Sequence, residues 1–490
     1  MLVKMLSDNN ESSGLMDRTF GGLKRAWQDL VGDARVKRTS AINPSLPADD
    51  LAQLRERIDD CLYGAGGEVS ERARAVELGR VYLSLDGQGR QRFFRLIASE
   101  YDIDRAKLAE AVAAWNDLYQ RIEHRPENID ALYRATEAML RKGLTSPGIR
   151  LLARFSGLPE GVKFLVDMRV ELVPLSRKDP VLKGLDDGLR ELLAGWFDVE
   201  FLDLRCITWD APASLLEKLV RYEAVHAVTS WNDLKNRLAP EDRRCYAYFH
   251  PKMPNEPIIF VWVALVKGMS GNVQTLLDTQ RAIIEDPARE ADTAIFYSIS
   301  NAQAGLVGIS FGNFLIKRVV RDLVNDYKDL KTFATLSPIP GFRGWLGERI
   351  AEEGDALLEK TESEAISMVA EEGKGVQALS SLCSRPEWHR QPEIVGALRG
   401  PLMRLCTRYL TEAKRGKYAR NRVAHFHLSN GARMERINWL GDTSEKGLEE
   451  SMGMMINYLY ASDDIEKNHE AYTGDGKIAV SSGFHDFSRA

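Results

Sequence analysis

The sequence predicts a helical bundle over residues 1–184 followed by a mixed α/β domain over 185–490. Three observations carry that expectation. A chain of 490 residues is longer than one core, since single cores stop growing at about 250–300 residues. Up to about residue 184 apolar residues recur at helical spacing with few β-branched runs. Beyond it, short β-rich runs alternate with helical stretches. At 44% hydrophobic and 28% charged, the chain is apolar enough to build both parts.

In the first part, "DLAQLRERIDDCL" spaces Leu51, Leu54, Ile58 and Leu62 as one helical face. "KLAEAVAAWNDLYQRI" does the same with Leu108, Val112, Trp115, Leu118 and Ile122. "NIDALYRATEAMLRKGL" follows, with Asn128 as its expected N-cap. In the second part, "CITW", "RRCYAYF", "PIIFVWVALV", "TAIFYSIS" and "TFATLSPI" read as strands. "PASLLEKLVRYEAV" (212–225) reads as a helix between them. The run at 257–266 is too short to cross a bilayer and reads as a buried strand. An acidic helical insert at 346–370 reads as a solvated face and is assigned no chemistry.

Charge and cysteines bound the partners. The net charge of −5 offers no global basic field, so neither nucleic acid nor membrane is expected as a partner. An anionic ligand must be held by local donors. The cysteines at 61, 206, 245, 383 and 406 are scattered, odd in number and without a CxxC pair, which points to a reducing compartment. The first residues lack the apolar stretch of a secretory signal, and Asp8, Glu11 and Asp17 argue against a mitochondrial presequence. The terminal "FSRA" is no peroxisomal address, and the expected location is cytoplasmic.

Two stretches carry candidate chemistry. In "TAIFYSISNAQAGLVGISFGNFLIKRVVRDLVNDY" (293–327) a strand leads through Gly305, Gly308 and Gly312 into a helix near Asn313. Glycines let a backbone approach an anion, and the free N–H groups at a helix start aim at it. Neither GxxxxGK[ST] nor GxGxxG is present, so spacing alone leaves an ordinary strand-to-helix turn open. The other stretch is "VAHFHLSNGA" (423–432), which puts two of the eight histidines, His425 and His427, two positions apart. In a strand ending at Asn430-Gly431 they would share a face. In a helix they would sit roughly 200° apart. Without a third ligand motif nearby, they make a poor metal site either way.

Longer motifs resemble one family. "ITWDAPASLLEKL", "RRCYAYFHPKMPNEPIIFVWVAL", "FYSIS", "GNFLIKRVV", "LSPIPGF", "FHLSNGA", "RINWLGDTSEKG" and "MINYLY" together resemble malonyl-CoA decarboxylase, densely over about 200–460. The resemblance implies an N-terminal helical domain used in homo-oligomer contacts, as a tetramer, and an acetyltransferase-like catalytic domain. It places coenzyme A at Val307, Gly308, Ile309, Ser310, Phe311, Gly312 and Asn313, although the stricter motif Q/R-x-x-G-x-G/A is not cleanly present. It makes His427 the acid that protonates the α-carbon of malonyl-CoA and Ser337 its partner, with Glu256 and Tyr460 as supporting residues near the site. His250 is explained equally well as a buried, satisfied histidine, and His425 departs from the family pattern. The chemistry asks for no metal, biotin or pyridoxal phosphate, and "PKMPN" lacks a biotinyl-lysine context. Two other readings compete: an acyl-CoA N-acyltransferase and a non-catalytic acyl-CoA sensor.

Overall fold

The computed structural model describes Trp27 and residues 42–120, 129–278, 290–309 and 314–484. Eight helices make up the first part of the described chain: α1 (Ala48–Tyr63), α2 (Glu68–Ser84), α3 (Gly87–Glu100), α4 (Arg105–Gln120), α5 (Ile129–Gly143), α6 (Pro147–Phe155), α7 (Gly161–Ser176) and α8 (Lys183–Trp196). The expected stripe of α1 buries Leu54, Ile58 and Leu62 at four-residue spacing. Ser146 caps α6 by accepting from Ile149 N–H, with Pro147 at the first position, where a missing N–H costs nothing. α7 is the central helix, buried without a break from Gly161 through Arg169. Around it Trp27, Tyr82, Phe155 and Phe164 meet edge to face.

The hairpin of α4 and α5 differs. Of the expected stripe on α4 only Leu118 is buried, joined by Ala111, while Val112 is exposed. Trp115 packs against Tyr133 of α5 rather than into the central core. Ile122 and the expected cap Asn128 lie outside the described residues. The boundary expected at 184/185 falls inside α8, whose Leu185, Leu189 and Leu193 continue the helical period. The first strand starts only at Asp203.

The second part is built on one mixed sheet: β1 (Asp203–Ile207), β2 (Arg243–His250), β3 (Met253–Val266), β4 (Thr293–Asn301), β5 (Thr332–Thr335), β6 (Ser337–Pro338), β9 (Arg433–Asn438) and β10 (Met455–Leu459), with β7 (Lys414–Arg415) and β8 (Tyr418–Ala419) forming a separate ribbon. β1 to β5 follow one another across the sheet. β5 and β6, separated by Leu336 alone, both pair with β10, which also pairs with β9. β3 is buried on both faces. Val261, Val263 and Leu265 join the core shared with the helical part. Phe260, Trp262 and Ala264 face a second core under α9 (Ala213–Tyr222) and α10 (Trp231–Leu238).

One ladder positions the site. β4 and β5 pair in parallel, from Thr293 beside Thr332 to Phe296 beside Thr335. The ladder ends where Leu336 N–H donates to Phe296 O at 3.0 Å, yet β4 runs on to Asn301. From Tyr297 onward β4 therefore lacks its parallel neighbour, and a cleft opens there. The remaining helices are α11 (Val273–Leu277), α12 (Phe314–Asp326), α13 (Phe342–Glu353), α14 (Lys360–Val369), α15 (Gly375–Ser384), α16 (Pro392–Thr411), α17 (Arg422–Ser429), α18 (Glu445–Ser451) and α19 (Ile465–Asp475). The acidic insert is α13 and α14, and it is more than a solvated face. It buries Leu346, Leu357 and Ile366. Its Glu353 and Glu362 pair with Arg408 and Arg404 of α16 at 2.8 and 2.6 Å.

Candidate active site

Ser337 opens β6, directly after the point where the parallel ladder stops. Pro338 and Pro340 fix φ on either side of Ile339 and remove two backbone donors. Pro340 O in turn accepts from Asn421 Nδ2 at 2.8 Å and from Tyr409 OH at 3.0 Å. The serine segment is thereby tied to the helix opposite. Ser337 is 6% exposed, and its hydroxyl donates to Thr335 Oγ1 at 2.8 Å.

The helix opposite is α17, and the same Asn421 starts it. Its Oδ1 accepts from Ala424 N–H at 2.8 Å, the expected N-cap geometry. His427 projects from α17 to within 3.1 Å of Ser337 Oγ through Nε2, and its Nδ1 lies 2.8 Å from Tyr460 OH. Its ring stacks on Tyr458, centroids 4.5 Å apart and planes 24° off parallel. At 3% exposure, burial pushes the imidazole pKa down to about 3, so the ring is neutral at physiological pH. Burial pushes the Tyr460 phenol up.

The helix also settles the two histidines. Because 422–429 is helical rather than a strand, His425 points away, roughly 200° around the axis. It is exposed, with Nδ1 3.0 Å from Tyr472 OH, and its ring tilts against Tyr418 and Tyr472. The two do not form a pair. Among the described residues no group of three His, Cys, Asp or Glu side chains could hold a metal ion.

A cavity of about 450 Å³ opens over this pair. Its walls are the end of β4 from Phe296 to Asn301, which loses its parallel neighbour after Phe296, Pro338 and Pro340 beside Ser337, and the face of α17 bearing Arg422, Val423, Phe426 and His427. That volume suits part of a cofactor-sized ligand. Lys446 and Glu450 stand at its edge, and Lys446 Nζ donates to Ala224 O at 2.7 Å.

Three residues of the site escaped the sequence reading. Thr335, wholly buried, receives the Ser337 hydroxyl. Its signal was present, since positions two apart on a strand share a side. Tyr458, two residues before Tyr460 on the neighbouring strand, carries the imidazole. Glu223 holds the far wall. Its carboxylate accepts from Ser298 Oγ at 2.8 Å, Trp262 Nε1 at 2.7 Å and the N–H groups of Val225 and His226 at 2.8 and 2.9 Å. Nothing in "RYEAV" marks that role.

The other expected residues lie elsewhere. Glu256, near the start of β3, pairs with Lys218 at 2.7 Å and accepts from Tyr222 OH at 3.3 Å. Ile259 faces Asn301 and Phe296 faces Thr335, so Glu256 stands about six residues, roughly 20 Å, along the strand direction from Ser337. It does not line the cavity. His250 is satisfied by Trp196 O and Lys252 N–H, both at 3.1 Å. Of the expected coenzyme A loop, Val307, Gly308 and Ile309 are described, whereas Ser310, Phe311, Gly312 and Asn313 lie outside the described residues. Gly308 has φ +78°, a conformation that favours glycine. The turn before it is braced by Arg169 of α7, which donates to Gly305 O at 2.7 Å and Val307 O at 2.8 Å. Asp186 fixes that guanidinium at 2.9 Å.

Comparison with known proteins identifies the family. Residues 200–489 match the family model of the malonyl-CoA decarboxylase C-terminal domain. Residues 101–197 match that of the malonyl-CoA decarboxylase N-terminal domain. The mitochondrial malonyl-CoA decarboxylase of Anser anser anser is 39% identical over 83% of this chain and 82% of its own length. That of Mus musculus is 35% identical over 95% and 91%. The crystal structure of malonyl-CoA decarboxylase from Rhodopseudomonas palustris superposes with a TM-score of 0.77 at 37% identity, covering 89% of this chain and 99% of that one. The enzyme from Agrobacterium vitis gives 0.78 at 35% identity, over 89% and 99%. Since the C-terminal match alone spans more than half of the sequence, the chain belongs to the malonyl-CoA decarboxylase family.

Proposed function

We propose that Ser337 and His427 carry the decarboxylation of malonyl-CoA to acetyl-CoA and CO2 that membership of this family assigns to the chain. The observation that carries the proposal is the 3.1 Å contact between Ser337 Oγ and His427 Nε2 at the wall of the cavity. When the bond to the carboxylate carbon breaks, CO2 leaves and the electron pair stays on the α-carbon, delocalised into the thioester as an enolate. An enolate is a strong base, so a neutral imidazole N–H is acid enough to deliver the proton. It can also polarise the thioester carbonyl without carrying charge, as neutral histidines do elsewhere. The α-carbon takes the proton, and solvent restores it to His427 once the product leaves. Each step uses hydrogen-bond donors and an acid, and none calls on a cofactor. Ser337 orients the acyl group against the ring, and Tyr460 holds the far nitrogen.

The test is incubation with malonyl-CoA alone while CO2 and acetyl-CoA are followed. Formation of both without an amine supports decarboxylation. Turnover only with an amine would select the acyltransferase reading, and binding without turnover the sensor reading.

One feature supports the acetyltransferase-like reading of the domain: β4 and β5 pair in parallel and part beyond Phe296, an opening suited to the acyl end of the thioester. The loop that leaves β4 then carries the coenzyme A phosphates on its backbone N–H groups. Gly308→Val tests this, because a β-branched residue at φ +78° must rearrange the turn although side-chain space is open there. The expected result is a KM for malonyl-CoA raised about tenfold or more with an unchanged fold by circular dichroism, a loss of about 1.4 kcal/mol of binding. Unchanged affinity would remove the loop from the binding site.

Self-association belongs to the α4–α5 hairpin in this proposal. Val112, Tyr119, Leu132, Met139 and Leu144 are exposed there. Clustered exposed apolar residues of this size mark contact surfaces. The full chain sediments as a homo-oligomer, a tetramer by family resemblance, and Leu132→Asp with Met139→Asp shifts it to a smaller species. A monomeric wild type would remove this part. No helix among the described residues is long and apolar enough to cross a membrane. The curated relatives are named as mitochondrial. For this chain the five cysteines, scattered and without a CxxC pair, support a reducing, cytoplasmic place, and the net charge of −5 supports no nucleic-acid partner.

A further inference from the structure

Thr335 sits behind Ser337, and its hydroxyl oxygen accepts two hydrogen bonds. One comes from the Ser337 hydroxyl at 2.8 Å, the other from the backbone N–H of Tyr458 at 3.1 Å. A hydroxyl oxygen has two lone pairs, so both are occupied. The Tyr458 N–H holds the threonine's rotamer, and Asn457 Nδ2, which donates to the Thr335 backbone carbonyl at 2.7 Å and is itself held by Asn438 at 2.8 Å, holds its backbone. Ser337 has one hydroxyl proton, and it is committed to Thr335. What Ser337 shows His427 is a lone pair.

The 3.1 Å approach of Ser337 Oγ to His427 Nε2 is then a hydrogen bond only if Nε2 carries the proton. A neutral imidazole carries one N–H, so Nδ1 is bare and accepts from the Tyr460 hydroxyl at 2.8 Å. We propose that Thr335 is a positioning residue that sets the tautomer of His427, holding its proton on Nε2, the nitrogen facing Ser337 and the cavity. The opposite tautomer would aim the only ring proton at Tyr460, away from any substrate. The inference rests on the Ser337–His427 reading and adds what selects the acid proton. A catalytic histidine held in the wrong tautomer costs up to about 10⁴-fold in kcat in a serine protease of otherwise intact geometry.

The test uses the full chain labelled with ¹⁵N-histidine, in the wild type, Thr335→Val and Thr335→Ser. Ring ¹⁵N shifts report the tautomer, and the signal of His427 is the one missing in His427→Asn. The wild type and Thr335→Ser are expected to show the proton on Nε2. Thr335→Val, of matching shape, frees the Ser337 proton to turn toward Nε2, so the ring moves to the Nδ1–H form. Its kcat falls by at least about tenfold while KM changes by less than about threefold, and the serine variant keeps most of kcat. A wild-type ring with its proton on Nδ1 would overturn the proposal, as would a folded valine variant with wild-type kcat or a serine variant as impaired as valine. If valine does not fold, the wild-type tautomer and the serine variant still decide. An active His427→Asn enzyme would instead undo the Ser337–His427 reading, which the tautomer signal does not depend on.

Discussion

His427→Asn is expected to lower kcat by about 10²–10⁴-fold, the usual size of positioned acid catalysis. The reason is geometric: its ring nitrogens meet Ser337 and Tyr460, and among the described residues no second histidine lines the cavity. Asparagine keeps a polar side chain of similar size but offers no ring to stack on Tyr458. The variant's fold must therefore be checked by thermal unfolding before its rate is read. His425→Asn is the control on the same helix. It loses a hydrogen bond to the hydroxyl of buried Tyr472 but does not line the cavity, so kcat is expected to stay within about twofold. A folded His427→Asn enzyme with wild-type kcat would falsify the acid assignment. Equal, severe losses at both positions would point to a role for the pair that the helix geometry does not provide.

Ser337→Ala is expected to cost about 10²-fold or more in kcat, since it removes the one side-chain partner of Nε2 and leaves that nitrogen buried. The informative measurement is the double variant. If both residues act on one transition state, Ser337→Ala with His427→Asn loses less than the product of the single losses, because the second removal takes away what the first had already disabled. Losses that multiply would mean that the two side chains act on separate steps. The contact would then be structural only.

How legible this was differs from residue to residue. Five β-rich runs stood out after residue 200 and each contributes to the sheet, although of "CITW" only Cys206 and Ile207 lie in a strand, and β9 and β10 were not read as strands. "VAHFHLSN" was ambiguous because eight residues are too few for periodicity to separate helix from strand. The cap decides it, and Asn421 just ahead of the run was a readable signal. Ser337 and His427 lie 90 residues apart, and only the splay of β4 from β5 and the seating of α17 over it bring them together. Local pattern cannot encode that, so the pairing rested on family resemblance. Glu256 shows the reverse limit. Its motif was in family register, but the antiparallel run of β3 carries it beyond the end of β4 and into partnership with Lys218. The hairpin of α4 and α5 had a clear apolar stripe, yet a stripe says that a face wants cover, not whether this chain supplies it.

Arg169 joins two parts of the chain that the sequence separates by well over a hundred residues. It is anchored in the core of the helical part by Asp186, yet its other donors close the carbonyls at Gly305 and Val307, in the turn that follows the cleft. Gly305 sits so close to the backbone of Val166 that even a methyl group would collide with it. The two parts therefore share a free energy. By reciprocity, whatever favours the braced turn must favour the packing of α7 and α8 by the same amount, and whatever loosens that packing weakens whatever needs the turn. With coenzyme A on this turn as proposed, ligand affinity and helical stability are two readings of one equilibrium, and a substitution far from the cleft, on α7 or α8, is expected to register as a binding defect without touching the ligand.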